Sequence, residues 1–247
     1  MRKDLVFGVA LLLAAAAAAQ GEARPLVWRD FTAVQRLRVV CSNKHFGRLD
    51  DLLVAVPGGQ ITAAVVTMPQ AQGPRRVVVP FAELQLDSGA NLLQLAACTE
   101  EGHVYAAFDP ESLGVTARVG DDGSVGEPAG LMSVAALSRG AVALAEGEAK
   151  AHGATVEMSR GHLAFLDLAV APRPGDAELH PVPWAALRWQ ERAGEGQRSR
   201  WVLQLPRSAA ALAATPDRID VIVSDPLYRA KVHAAFEVRP PDYETDR

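Results

Sequence analysis

A motif of the form Val-Pro-aromatic-Ala-x-Leu occurs twice in the chain, as VPFAEL at 79–84 and as VPWAAL at 182–187. Two further matches occur in the same order, GRLDDLLVAV at 47–56 with GHLAFLDLAV at 161–170, and LLQL at 92–95 with VLQL at 202–205. The chain is rich in Ala, Leu and Val, so one such match would carry little weight. Three matches in one order indicate an internal repeat, and the chain is expected to contain two copies of one small fold.

Each copy is predicted to be mostly β. Short runs rich in Val, Ile and Leu alternate with turn-forming residues at a spacing typical of a small sandwich or barrel. After the last strand of the second copy, an Ala-rich segment ended by Pro216 favours a short helix. The predicted boundaries are a signal peptide at 1–23, a first barrel-like domain at 24–107, a linker at 108–129, a second domain with a C-terminal extension at 130–238, and a disordered tail at 239–247.

Pro80 and Pro183 each follow an apolar run and precede an aromatic residue. Proline lacks an amide proton and restricts φ, so within a sheet it belongs at a strand end, an edge or a bulge. Each strand is therefore predicted to end at its proline, after which Phe81 or Trp184 turns into the core and a short helical turn leads into the next strand. These four residues are interpreted as barrel corners that serve packing rather than ligand binding.

The same stretches resemble the PRC-barrel family, whose members combine a Gly-led apolar strand containing Asp, a Pro-x-x-Gly-like turn, a Val-rich strand and a (Val/Ile)-Pro-(Trp/Phe)-x-x-Leu corner. In the first copy the matching residues are Gly47, Leu49, Asp51, Leu52, Leu53 and Val54, then Pro57, Gly58 and Gly59, then Ile61 to Val66, and finally Val79, Pro80, Phe81 and Leu84. In the second copy they are Gly161, Leu163, Phe165, Leu166 and Leu168, followed by Val182, Pro183, Trp184 and Leu187.

The second copy departs from the family pattern in two places. Phe165 stands where the family usually has Asp, and the segment between Val170 and Pro181 is short, so the third strand of this copy is expected to be shortened or missing. The resemblance implies two small PRC-barrel-like β-barrels in tandem. It also implies a role in docking on larger complexes, as for the photosynthetic reaction-centre H subunit and the ribosome-maturation factors of that family.

The N-terminal residues have the three parts of a secretory signal peptide: Arg2 and Lys3, an apolar run from Leu5 to Ala19, and small residues before a cleavage site. The apolar run is shorter than the roughly 20 residues that span a bilayer. The mature chain is therefore expected to be periplasmic or secreted and to lack a membrane span. In such an oxidising compartment Cys41 and Cys98 are candidates for a disulfide, with two unlinked thiols as the alternative.

No stretch of the sequence carries a recognised catalytic motif. A G-x-S-x-G elbow, an H-E-x-x-H helix and a phosphate-binding loop are all absent. The formal net charge is −4 and the basic residues are scattered, so nucleic acid is not expected as a partner. Neighbouring carboxylates such as Asp50 and Asp51 are interpreted as surface charge. The prediction is a non-enzymatic protein without catalytic residues, cofactor or metal.

Three histidines of the second copy, His152, His162 and His180, support an alternative hypothesis if they converge in space. The chain would then be a periplasmic hydrolase or a metal-dependent enzyme. Metal sites usually show tighter ligand spacing, so solvated histidines are preferred. A second alternative is a sensor of a small ligand held between the two barrels.

The leading hypothesis is a binding or assembly module for a protein partner. Arg and Trp are enriched in protein interfaces, and both occur at predicted hairpins of this chain. The candidate partner contacts are Arg75 and Arg76 at one hairpin and Trp189 and Trp201 at another, with solvated surface as the alternative.

Overall fold

The computed structural model describes residues 26–42, 44–96, 105–119, 125–170, 178–193, 199–219, 222 and 224–241. The predicted signal peptide at 1–23 and Cys98 lie outside these residues, as does most of the predicted tail. None of the helices within the described ranges is long and apolar enough to cross a membrane.

The first half of the chain folds in the order strand, short helix, strand, long hairpin, strand, 3-10 turn and short hairpin. Its elements are β1 (Trp28–Asp30), α1 (Phe31–Val34), β2 (Arg38–Cys41), β3 (Lys44–Val56), β4 (Gln60–Met68), β5 (Arg75–Pro80), a 3-10 turn (Phe81–Glu83), β6 (Leu84–Asp87) and β7 (Leu92–Leu95).

The second half repeats this order. A 3-10 turn (Pro110–Ser112) and β8 (Gly114–Val119) lead into β9 (Val125–Ser133), α2 (Val134–Leu137), β10 (Ala141–Ala143), β11 (Glu148–Glu157), β12 (His162–Ala169), β13 (Leu179–Pro183), a 3-10 turn (Trp184–Ala186), β14 (Arg188–Ala193) and β15 (Ser199–Gln204). Two helices follow, α3 (Ala209–Ala213) and α4 (Pro226–Ala235). The prediction of a mostly β chain with short helical segments after the last strand is confirmed.

The two repeats exchange their first strands. Strand β1 of the first repeat pairs antiparallel with β11 of the second, with Asp30 opposite Thr155. Correspondingly, β9 pairs antiparallel with β3 of the first repeat, with Ser133 opposite Leu53. The strands of each repeat therefore pair with one strand from the other repeat, and neither repeat has a self-contained set of strands.

All fifteen strands of the described residues belong to one mixed sheet, whose main path runs β14-β15-β10-β11-β12-β4-β3-β2-β7-β6. The sheet is not closed into a barrel, so two separate barrels are not confirmed. The segment at 108–129 predicted as a linker contains β8 and the first residues of β9. Phe108 and Leu113 from this segment pack against buried Leu53 and Val65 of the β3–β4 hairpin.

The hairpin registers correct one detail of the repeat. In β3–β4 Leu52 lies opposite Ala64, and in β11–β12 Ala154 lies opposite Leu166. The strand at 47–56 therefore corresponds to β11, whereas GHLAFLDLAV at 161–170 forms β12, the counterpart of β4. The sequence match was misleading because β3 and β12 both contain a buried apolar run that comes after a glycine, Gly47 within β3 and Gly161 just before β12.

The third strand of the second repeat is present. Strand β13 has 5 residues and its counterpart β5 has 6, so the strand is shortened rather than missing. Both strands end at the proline of the repeated motif and continue into a 3-10 turn, which is the local structure predicted at Pro80 and Pro183.

Apolar residues from both repeats form one hydrophobic core. Its largest fully buried side chains are Phe31, Leu37, Leu49, Leu52, Ile61, Leu93, Phe165, Leu163, Leu166, Leu168, Leu205 and Leu212. Helix α4 also packs on this core, with Val232 fully buried and the guanidinium of Arg229 4.3 Å from the centre of the Trp28 ring. Because strands from both repeats line this core, burial of apolar surface holds the two halves together.

Candidate functional site

Phe81 and Trp184, the aromatic residues of the repeated motif, lie at the junction between the repeats. Phe81 packs on Gly161 in the β11–β12 turn, and Trp184 packs on Gly59 in the β3–β4 turn. At either glycine a β-carbon would come within 2.5 Å of the facing ring. The indole N–H of Trp184 also donates to the Pro57 carbonyl at 2.7 Å. These contacts give both aromatics a packing role.

The backbone hydrogen bonds at this junction are reciprocal between the two repeats, as the ring–glycine contacts are. The N–H of Ile61 donates to the Gly161 carbonyl at 2.8 Å, and the N–H of Leu163 donates to the Gly59 carbonyl at 2.9 Å. Both glycines have positive φ, +77° at Gly59 and +70° at Gly161. Glycine adopts this conformation without the penalty that a β-carbon brings, so both turns depend on it.

Asp51 is a buried anchor between the repeats rather than surface charge. Its carboxylate accepts the Ser133 hydroxyl, the Ala135 N–H at 3.0 Å and the Leu52 N–H at 2.8 Å. Burial raises the pKa of Asp51, and the bond from Ser133 is the largest of the effects that oppose this rise. Because Ser133 caps α2, Asp51 of the first repeat holds the first helix of the second.

Asp30, Arg218 and Asp167 form a polar cluster at the place in the second repeat that Asp51 and Ser133 occupy in the first. Asp30 precedes α1 as Ser133 precedes α2, and it binds the guanidinium of Arg218. The same guanidinium donates to Asp167 Oδ2 at 2.8 Å, and Asp167 is fully buried. Burial raises the pKa of Asp167 to about 6, Arg218 opposes this rise and Asp30 adds to it. Sequence reasoning missed this cluster because its residues are widely separated along the chain.

Arg75 and Arg76 take part in contacts within the chain. The Arg76 guanidinium lies 4.6 Å from the Phe108 ring centre and 3.4 Å from Asp50 Oδ2. Arg75 donates a long hydrogen bond of 3.5 Å to the Tyr105 carbonyl. Strand β5, which carries both arginines, pairs with β4, so they lie apart from the hairpin that carries Trp189 and Trp201.

Trp189 and Trp201 line one cleft between the β14–β15 hairpin and the α2–β10 segment. The cleft has a volume of about 470 Å³ and an apolar floor that includes Leu137, Val142 and Leu203. Arg192 and Glu148 supply charge at its wall. The indole nitrogen of Trp189 is buried and has no hydrogen-bond partner among the described residues. Sequence reasoning selected both tryptophans, and the structure brings them together.

The cleft involves a hairpin that is longer in the second repeat than in the first. Strands β14 and β15 have 6 residues each, whereas their counterparts β6 and β7 have 4 each. Trp189 opposite Leu203 corresponds to Leu86 opposite Leu93. Arg192 and Trp201 therefore belong to the extension, for which the first repeat has no paired counterpart. This departure from internal symmetry is not required by the shared fold.

The three histidines of the second repeat occupy different surroundings. His152 is exposed, and His180 is buried beside Asp217. His162 lines a cavity of about 250 Å³ with Trp184 and His233. Burial lowers the pKa of His162, which favours its neutral form. No described group of metal-ligating residues combines these three histidines.

Cys41 lies at the end of β2 and is disulfide-bonded. The other cysteine of the sequence, Cys98, lies outside the described residues, so the pairing of these two residues stays a prediction.

Comparison with protein-family models gives no match to this chain. Comparison with curated proteins gives no match either. The likeness to the PRC-barrel family therefore rests on the motifs themselves.

Proposed function

We propose that this chain is an exported, non-enzymatic binding module built from two PRC-barrel-like repeats, and that a protein partner docks in the Trp189–Trp201 cleft. The observation that carries the proposal is the cleft itself, in which two tryptophans lie beside an apolar floor. The PRC-barrel likeness supports a docking role by analogy only.

The chemistry of the cleft fits an extended segment of another protein. Large aromatic side chains supply most of the affinity in many protein interfaces, and tryptophan is prominent among them. The apolar floor would accept an aliphatic or aromatic side chain of the partner.

The position of β14 supports the same partner class. This strand lies at one end of the main path of the sheet, so one of its edges has no partner on that path. An edge strand offers backbone N–H and carbonyl groups to an extended peptide, while alternate side chains of the peptide enter neighbouring pockets.

A photo-crosslinking amino acid at Ala141, an exposed residue of the cleft wall, tests the proposal in extracts of the exported fraction. The proposal expects one specific crosslinked protein, and it expects the Trp201→Ala variant to lose this product. Leu227→Ala is the matched control because Leu227 is 80% exposed and does not line the cleft. A crosslinker at Ala145, which is exposed but does not line the cleft, should give no such product.

Two results would contradict the proposal. If Trp201→Ala captures the same protein as efficiently as the unmodified chain, the cleft is not the docking site. If no protein is captured but a small molecule raises the melting temperature in a Trp201-dependent way, the cleft serves a ligand sensor instead.

A further inference from the structure

Glu178, His180 and Asp217 bring two carboxylates and one imidazole together near the start of β13. One ligand atom from each residue lies within 4.8 Å of the others. Glu178 and His180 are two positions apart, which in an extended chain places their side chains on the same side. Asp217 comes from the segment after α3, and the adjacent Arg218 N–H donates to the Leu179 carbonyl. The main chain therefore holds Asp217 opposite the other two residues.

The buried imidazole of His180 lies near two oxygen atoms but makes no short hydrogen bond through Nδ1 to either. His180 is 1% exposed, and its Nδ1 lies 3.4 Å from Thr215 Oγ1 and 3.6 Å from Asp217 Oδ1. Both separations exceed the usual range of a hydrogen bond. The Thr215 hydroxyl already donates to the Leu212 carbonyl at 2.7 Å. The shortest hydrogen bond of the Thr215 hydroxyl is therefore to Leu212 and not to His180.

The spacing of ligand atoms around zinc fits the separation between His180 Nδ1 and Asp217 Oδ1. Zinc binds nitrogen and oxygen ligands at about 2.0–2.1 Å in a tetrahedron, so neighbouring ligand atoms lie roughly 3.3–3.4 Å apart. The distance of 3.6 Å from His180 Nδ1 to Asp217 Oδ1 is close to this edge length. Small side-chain rotations of exposed Glu178 and Asp217 would bring their oxygens to the same spacing.

The local charge also favours a divalent cation. Glu178 and Asp217 are both acidic, and the nearby guanidinium of Arg218 is held by Asp167 and Asp30. Arg218 therefore forms ion pairs with Asp167 and Asp30 and not with Glu178 or Asp217. An imidazole ligand favours zinc and related transition metals over magnesium and calcium, which prefer oxygen ligands alone.

We propose that Glu178, His180 and Asp217 bind a divalent transition-metal ion, with zinc as the best fit. The ion links β13 to the segment after α3, and thereby holds the C-terminal extension on the second repeat. This structural role is independent of the docking function proposed for the Trp189–Trp201 cleft and involves no catalytic step.

Isothermal titration of the full mature chain, without an affinity tag and after treatment with a chelator, tests the site with Zn²⁺ alone. The expected result is one equivalent of bound zinc and a higher melting temperature. Glu178→Gln and Asp217→Asn are each expected to weaken binding roughly tenfold or more, and the double variant to abolish it. Both residues are exposed, so these variants retain the fold.

His152→Gln and Glu146→Gln are the matched controls, because both residues are exposed and neither belongs to the cluster. Both should bind zinc as the unmodified chain does. Co²⁺ provides an independent readout, since its tetrahedral complexes absorb strongly in the visible range and the double variant should lose these bands. Absence of saturable zinc binding, or equal affinity of the double variant and the unmodified chain, would overturn the proposal.

Discussion

Trp184 of the second repeat lies directly on Gly59 of the first, so closely that a β-carbon at Gly59 would stand 2.5 Å from the indole ring. Phe81 and Gly161 form the same contact with the roles of the repeats exchanged. The repeated Val-Pro-aromatic motif therefore does more than end a strand. It places an aromatic ring on the hairpin turn of the opposite repeat.

Gly59→Ala and Gly161→Ala are expected to destabilise the protein by roughly 1–3 kcal/mol each. Both positions combine a positive φ with a facing ring, so the new methyl group brings backbone strain and overpacking. Urea unfolding provides the measurement. Gly58→Ala is the control, since a β-carbon there meets no atom within 4 Å. Equal effects at Gly58 and Gly59 would show that the close approach of Trp184 is not important.

Ser133→Ala is expected to lower the free energy of unfolding by more than Ser208→Ala. Each serine caps a short helix, and loss of a cap costs about 1 kcal/mol. Ser133 additionally donates to the buried carboxylate of Asp51, which its removal would leave with one partner fewer. Chemical denaturation of both variants checks the order, and equal losses would contradict the anchoring role of Asp51.

Arg218→Met is expected to destabilise the protein by roughly 3–5 kcal/mol, because it leaves the fully buried Asp167 without its counter-ion. Exposed Arg139 is the control position, and Arg139→Met should change the free energy of unfolding by less than about 0.5 kcal/mol. Combining Arg218→Met with Asp167→Asn should recover part of the loss. A double variant no more stable than Arg218→Met would argue against this explanation.

The raised pKa of Asp167 predicts a pH dependence of stability. Because its pKa rises from 3.8 to about 6 on folding, the folded state binds more protons than the unfolded state between these values. The contribution of Asp167 to stability is therefore largest below about pH 4 and declines as the pH rises through 6, by at most about 1.4 kcal/mol per pH unit.

Asp167→Asn isolates this contribution. The difference in unfolding free energy between the unmodified chain and the variant should fall from pH 4 to pH 6 and stay level above about pH 7. Urea titrations at four pH values measure this difference. A difference that does not change with pH, or that grows from pH 4 to pH 6, would contradict the raised pKa.

Peptide mapping without reduction is expected to recover Cys41 joined to Cys98, because Cys41 is disulfide-bonded and the sequence contains two cysteines. Reduction should then lower the free energy of unfolding by roughly 2–4 kcal/mol. A disulfide between two molecules, revealed by Cys41 peptides joined to each other, would be the contrary result.

Sequence reasoning was most accurate where the backbone is constrained locally. The ends of β5 and β13 were predicted at Pro80 and Pro183, since proline cannot continue a ladder of hydrogen bonds. Trp189 and Trp201 were selected because tryptophan is enriched in protein interfaces and both residues lie at a predicted hairpin. Asp51 was misjudged, because adjacent carboxylates look alike in sequence whether they face solvent or a buried serine.

The sequence by itself determined a mostly β chain, its two repeats and the turns within them, because proline, glycine and apolar spacing act over a few residues. Only the tertiary structure decided that β1 and β9 cross to the opposite repeat, because a strand can pair with any strand of suitable edge and register. That exchange buried Asp51 against Ser133 and placed Asp30 with Asp167 and Arg218. Contacts between residues so distant in the chain arise from the packing of whole sheets, which local sequence does not encode.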